Sequence, residues 1–115
     1  MQALIVFSTF PDVEQARKAA RMLIEQGLAA CVTILPGTTS VYRWQGKVEE
    51  TSEALLMIKT MEAAYPRLEQ TIKACHPYEL PEILAVATDT GLPEYLQWVI
   101  EETANNKTTC NERLP

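Results

Sequence analysis

The chain has 115 residues, 47% hydrophobic and 22% charged, the make-up of one domain with a core of its own. A formal net charge of −5 and a pI near 4.8 exclude the basic face of a nucleic-acid reader and offer nothing to an anionic membrane surface. No basic leader precedes an apolar run, nothing approaches the ~18 apolar residues of a membrane span, and three cysteines form no CxxC pair; the expected setting is the reducing cytoplasm.

Residues 3–7 (ALIVF) read as a strand buried on both faces, broken by Ser8-Thr9-Phe10-Pro11-Asp12. A helix follows over residues 12–26. Asp12 caps it, with Gln15 three residues on, and Gly27 stops it. Val13, Ala16, Ala20, Leu23 and Ile24 form its apolar face.

Residues 29–60 read as one very long β-hairpin turning at Gln45-Gly46. Leu35-Pro36-Gly37 interrupts the outgoing arm, as a bulge in one strand or as a turn dividing two short ones. The returning arm, residues 47–59, becomes continuously apolar at Ala54-Leu55-Leu56-Met57-Ile58, the pattern of a strand covered on both faces. Thirteen such residues extend about 43 Å, whereas the helix over 12–26 covers about 22 Å. The monomer therefore cannot cover its own hairpin. The exposed outer half carries Val41, Tyr42, Trp44 and Val48, an aggregation hazard unless another chain pairs with it, so an obligate oligomer is expected.

A second helix lies within residues 60–75, regular from about Ala64 because Pro66 fits only its first turn; Tyr65, Leu68, Ile72 and Cys75 are its buried stripe. Residues 83–88 (ILAVAT) read as another buried strand. Gly91 and Pro93 open a third helix with Leu92, Tyr95, Leu96, Val99 and Ile100 on one face and Trp98 off it. Residues 1–103 make the domain; 104–115 are polar and aperiodic, the composition of a disordered tail. The order β-α-β-β-α-β-α gives an α+β fold: a ferredoxin-like split βαβ sandwich, with a four-stranded antiparallel sheet and an extra C-terminal helix.

Chemistry is expected at one end of that sheet. Taking the third strand as parallel to the first brings Ser8-Thr9-Phe10, Lys59-Thr60, Cys31 and the loop from Cys75 to Glu82 together there. Cys75 and His76 offer a thiolate and an imidazole to a soft or borderline divalent ion. The alternative is structural, with Cys75 buried and His76 capping the helix. Glu79 and Glu82 are candidate acid–base groups or plain solvated carboxylates. No triad, P-loop or GxGxxG is present, so an enzyme is not indicated.

The runs Ala29-Ala30-Cys31-Val32, Leu35-Pro36-Gly37, Ser40-Val41-Tyr42-Arg43-Trp44-Gln45-Gly46-Lys47, Glu53, Ile58-Lys59-Thr60, His76-Pro77-Tyr78 and Pro81-Glu82 closely resemble the CutA divalent-cation tolerance family. The resemblance implies a homotrimer held by its long hairpins, with Val41, Tyr42, Trp44 and Val48 at the interface and an architecture like that of PII signalling proteins. It further implies weak binding of copper(II) or another divalent metal, not required for folding, by Cys75 and His76. Ser8 stands where the family pattern has a third ligand, a cysteine, and a hydroxyl is a poor ligand for soft copper. Lys59, Arg43, Tyr78 and Glu82 are candidates for an inter-subunit cleft. An alternative function is a PII-like regulator binding a small anion there through Lys59 and Arg43; another is a structural trimer presenting a surface to a partner protein.

Overall fold

A computed structural model describes residues 2–104; the expectation of a disordered tail falls, but for Ala104, outside the described residues. The elements are β1 (Ala3–Phe10), α1 (Val13–Glu25), β2 (Cys31–Trp44), β3 (Lys47–Met61), α2 (Tyr65–Cys75), β4 (Leu84–Ala87) and α3 (Pro93–Thr103). The sheet order is β2-β3-β1-β4 with every neighbouring pair antiparallel, which is the split βαβ arrangement.

Helix α1 is fixed at both ends by local chemistry. The Gln15 amide donates to Asp12 Oδ1 at 2.8 Å, and the Gln15 side chain donates to Oδ2 at 3.0 Å. These bonds to the ionised form hold the Asp12 carboxyl below its usual range. At the far end Gly27, at φ 69°, lets the Leu28 amide reach back to the Leu23 carbonyl. Ala16, Ala19, Ala20 and Leu23 are the buried positions. Ile24, expected on that face, is exposed, because the sheet contact is centred on the 16–20–23 stripe and Ile24 lies 100° further round.

Strand β1 does not break at Ser8. It continues to Phe10, paired with Ala54, because β3 is long enough to go on offering partners. Leu4, Val6, Ser8 and Phe10 point to α1 and α2 with Ala54, Leu56 and Ile58, and the main core forms there. Leu55 and Met57 alternate with them on the other face and are only half-buried, so β3 is not covered on both sides as expected. Strand β4 is likewise not buried: it is a short edge strand with Leu84 62% exposed.

The long hairpin is one unbroken ribbon. Gln45 (φ 51°) and Gly46 (φ 83°) are both left-handed, the backbone of a type I′ turn, whose twist matches the flanking strands. Between Leu35↔Leu55 and Thr38↔Glu53, β2 advances three residues while β3 advances two. That bulge settles the role of Leu35-Pro36-Gly37 and excludes a dividing turn; Gly37 sits at φ 70° in it. Pro36 costs little because β2 is an edge strand. The Thr38 hydroxyl donates to the Glu53 carbonyl at 2.8 Å across the disturbed ladder.

Of the expected α2 stripe, Leu68 and Ile72 are buried, Tyr65 is half-buried and Cys75 is exposed. Helix α3 packs Val99 on Ala3, Ala30 and Met61. Ala3 and Met61 belong to the sheet face turned away from α1 and α2, so α3 covers one end of that second face. Its other expected face residues stay exposed or half-buried, and Trp98 lies against Tyr95 with ring centroids 5.6 Å apart.

Candidate functional site

The α2–β4 connection closes over the C-terminal end of β1. His76 is the C-cap of α2, in extended conformation, which turns its ring inward onto Phe10 at 4.2 Å between centroids. Its Nδ1 accepts the Tyr78 amide at 3.0 Å. Nε2 therefore carries the proton and donates to the Thr9 carbonyl at 2.7 Å. That carbonyl points the same way as Ala3 O, which the Thr88 amide takes up, but β4 starts opposite Phe7 and supplies no donor beyond it. His76 stands in for the missing strand partner. Neither ring nitrogen is left for a metal.

One turn on, the Tyr78 hydroxyl donates to Glu53 Oε2 at 2.7 Å. Burial, then the hydrogen bond to Glu53 and the charge of its carboxylate, hold the Tyr78 phenol well above its usual range. Glu53 is only 6% exposed. It sits on the face of β3 that carries Leu55 and Met57, beside a cavity of about 640 Å³. Tyr42, Trp44, Glu53, Tyr78, Glu79 and Glu82 are among the residues that line it.

The other predicted site residues are dispersed. Ser8 points into the core, fully buried, with its hydroxyl unpartnered among the described residues. Cys75 lies on the outside, in a groove with Gln15 and Met22 of α1, and partial burial pushes its thiol up. His76 does hold the C-cap position, but its ring turns to Thr9 and Tyr78 and offers no cation to the helix end, and Cys75 is exposed where the structural alternative has it buried. Lys59 and Cys31 pair across β2 and β3 opposite Ile5, at the other end of the sheet from His76. The expected convergence fails there because β3 runs antiparallel to β1, not parallel. Lys59 Nζ instead donates to Thr33 Oγ1 at 2.6 Å and lies 3.8 Å from Cys31 Sγ. Among the described residues no three His, Cys, Asp or Glu side chains are grouped to hold a metal ion.

Arg43 also lines the cavity, but it pairs with Val48, on the face opposite Tyr42, Trp44 and Glu53, so its side chain leaves the strand from the other side. Val41, Tyr42 and Val48 are exposed and Trp44 half-buried. Sequence reasoning missed Glu53 as a site residue. Its signals are its place among the residues that carry the family resemblance and its position as a carboxylate at the head of the apolar run from Ala54.

Fold and site define a class first: an α+β split-βαβ domain with an overlong hairpin and an acidic, aromatic-walled cleft at the hairpin's midpoint. The model of the CutA1 divalent ion tolerance protein family matches residues 4–102. A divalent-cation tolerance protein CutA from Thermus thermophilus is 50% identical over 99 residues, 86% of this chain and 96% of its own. A solved structure of the divalent cation tolerance protein Cut A1 from the same organism has a TM-score of 0.86 at 50% identity, over 88% of this chain and 98% of that one. CutA from Xylella fastidiosa gives 0.87 at 47% identity, over 90% and 99%. The mouse Protein CutA is 43% identical over 106 residues; they make up 90% of this chain but 60% of that relative. The chain belongs to the CutA1 divalent ion tolerance family.

Proposed function

We propose that this chain is a homotrimeric binding protein of divalent-cation tolerance, acting in the cytoplasm, with its ligand sites in clefts between subunits. The observation that carries the reading is the ribbon's outer half: Val41 is 64% and Val48 67% exposed, on a molecule whose long dimension is 48 Å. The uncovered sheet face, with Leu84, Val86 and the half-buried Phe7 and Met57, supports it from a second side. Copper(II) or another divalent ion is the cargo in this reading. One subunit supplies no convergent donor set among the described residues, so tight binding requires donors from more than one subunit. Cys75 is the donor solvent can reach; His76 would have to give up Thr9.

Within one subunit Lys59 and Val48, the partner of Arg43, are eleven residues apart on β3, about 36 Å, so a PII-like site for one small anion would need Lys59 and Arg43 from different subunits. Sedimentation and copper titration test the proposal together. A trimer mass at micromolar concentration is expected, with copper binding lost in Cys75→Ser and kept in His76→Ala. A stable folded monomer sinks it.

A further inference from the structure

One cluster of reactive side chains lies outside both the metal reading and the cleft. Cys31 and Lys59 face each other directly across β2 and β3, and Thr33 and Met57 are the next residues on the same face. Three acceptors surround the Lys59 ammonium: Thr33 Oγ1 at 2.6 Å, the Met57 carbonyl at 3.5 Å and Cys31 Sγ at 3.8 Å. Helix α3 brings a second donor, the Tyr95 hydroxyl, to Cys31. Burial, then the charge of a Cys31 thiolate and the hydrogen bond to it, push the Tyr95 phenol up. An amine and a phenol thus converge on one sulfur. Cys31 and Lys59 are both half-buried, so a molecule the size of hydrogen peroxide has access. They lie past Met57, toward the end of the second sheet face that α3 covers, and the chain's own Tyr95 stands against Cys31.

That juxtaposition decides where oxidation of the thiol leads. A sulfenic acid condenses with the nucleophile beside it, a thiol or a nitrogen. Cys75 lies on the helix side of the sheet, in the groove with α1, so the nucleophile beside Cys31 is the Lys59 amine. We propose that Cys31 and Lys59 form a peroxide-driven, thiol-reversible cross-link, a redox modification site at the base of the ribbon. Peroxide first transfers one oxygen to the sulfur, S–H becoming S–O–H; the sulfur loses two electrons and the peroxide is reduced to water. Lys59 gives one ammonium proton to solvent, and its nitrogen lone pair attacks the sulfur. An S–N bond forms, the S–O bond breaks, and the hydroxyl leaves as water with a second nitrogen proton. The product is a sulfenamide, which two equivalents of a thiol return to Cys31 and Lys59 as they form a disulfide of their own. The link ties the first residue of β2 to β3 and replaces a cation by a neutral nitrogen. The inference goes beyond metal tolerance and involves neither Cys75 nor His76.

The test treats the assembled full-length protein with hydrogen peroxide, alkylates the remaining thiols and reads the tryptic peptides by mass. Cleavage at Lys59 is expected to be blocked, leaving residues 22–43 joined to 48–67, about 2 Da lighter than the unmodified pair and separated by dithiothreitol. Lys59→Arg keeps the cation and a donor to Thr33 but removes the amine. Dimedone traps sulfenic acids, and its label on Cys31 is expected to rise several-fold in that variant, because the competing nitrogen is gone. Cys31→Ser is expected to give no linked peptide. The proposal is overturned if peroxide leaves Cys31 a free thiol, or if Cys31 ends as a sulfinic acid or a disulfide with Lys59 still cleaved. Equal dimedone label in wild type and Lys59→Arg overturns it too. The wild-type peptide map decides even where a variant does not fold. Sedimentation reads the trimer and Cys75→Ser the copper site, so this proposal and that of metal tolerance fail independently.

Discussion

The inner and outer halves of the β2–β3 ribbon share one backbone and one two-residue period, yet their environments differ. From Leu55 to Lys59, β3 has β2 on one side and β1 on the other, and alternate residues drop into the core below α1 and α2. From Lys47 to Ser52 it has β2 alone, and every side chain but Thr51 is exposed. Glu53, paired with Thr38, is where one regime passes into the other, and the bulge in β2 falls beside it, opposite Ala54. The contrast shows that burial along this ribbon follows the second layer, not strand propensity: Val48 and Leu56 are both good strand residues and end in opposite surroundings.

The largest effect should come from breaking that contrast at its buried end. Leu56→Ala removes a fully buried side chain from a packed core and is expected to cost about 2–5 kcal/mol in a urea titration, at any protein concentration. Val48→Ala should change subunit stability by less than about 0.5 kcal/mol and act instead on the concentration dependence of the melting transition. Equal losses, independent of concentration, would show that the outer half is packed within its own subunit.

What the sequence made legible divides along the same line. The Gln45-Gly46 turn, the Pro36-Gly37 bulge and the capping of α1 by Asp12 and Gly27 are local, because each needs a backbone conformation only certain residues take. Where β1 ends is not local. Ser8 and Thr9 look like a break, but the length of β3 keeps them in the ladder. The exposure of β4 was hidden for the same reason: Leu-Ala-Val-Ala does not say whether a second layer reaches it. The site suffered most. Placing Lys59 and Cys31 beside His76 required the relative direction of two strands, and one wrong direction moved both to the far end of the sheet. The burial of Glu53, a residue that carries the family resemblance, is not legible because it depends on Tyr78, twenty-five residues away.

A smaller effect is expected at the lid over the inner half. His76→Ala leaves the Thr9 carbonyl and the Tyr78 amide without their side-chain partners, at a cost of about 1–3 kcal/mol. A Lys59→Ala change at the opposite end, on a half-buried side chain, should cost less than that. If the order is reversed, the end of the sheet organised by Cys31 and Lys59 is the firmer one.

The smallest effect is a pH dependence at the junction itself. Tyr78 keeps its proton in the folded chain beyond the usual phenol range, chiefly because it is buried and also because its hydroxyl donates to Glu53. The unfolded chain releases that proton near pH 10. Below that pH both states hold it and the contribution is fully present. Above it the unfolded state ionises first, so stability falls as pH rises toward the folded value. Tyr78→Phe has no proton to lose, so urea midpoints of wild type and variant should run parallel up to about pH 9.5 and converge above about pH 10. The phenols of Tyr65 and Tyr95, also pushed up by burial, are present in both proteins and cancel in the difference. Midpoints that stay parallel to about pH 11 would mean that the Tyr78–Glu53 contact is not formed in solution, and with it would go the buried carboxylate that marks where the two halves of the ribbon meet.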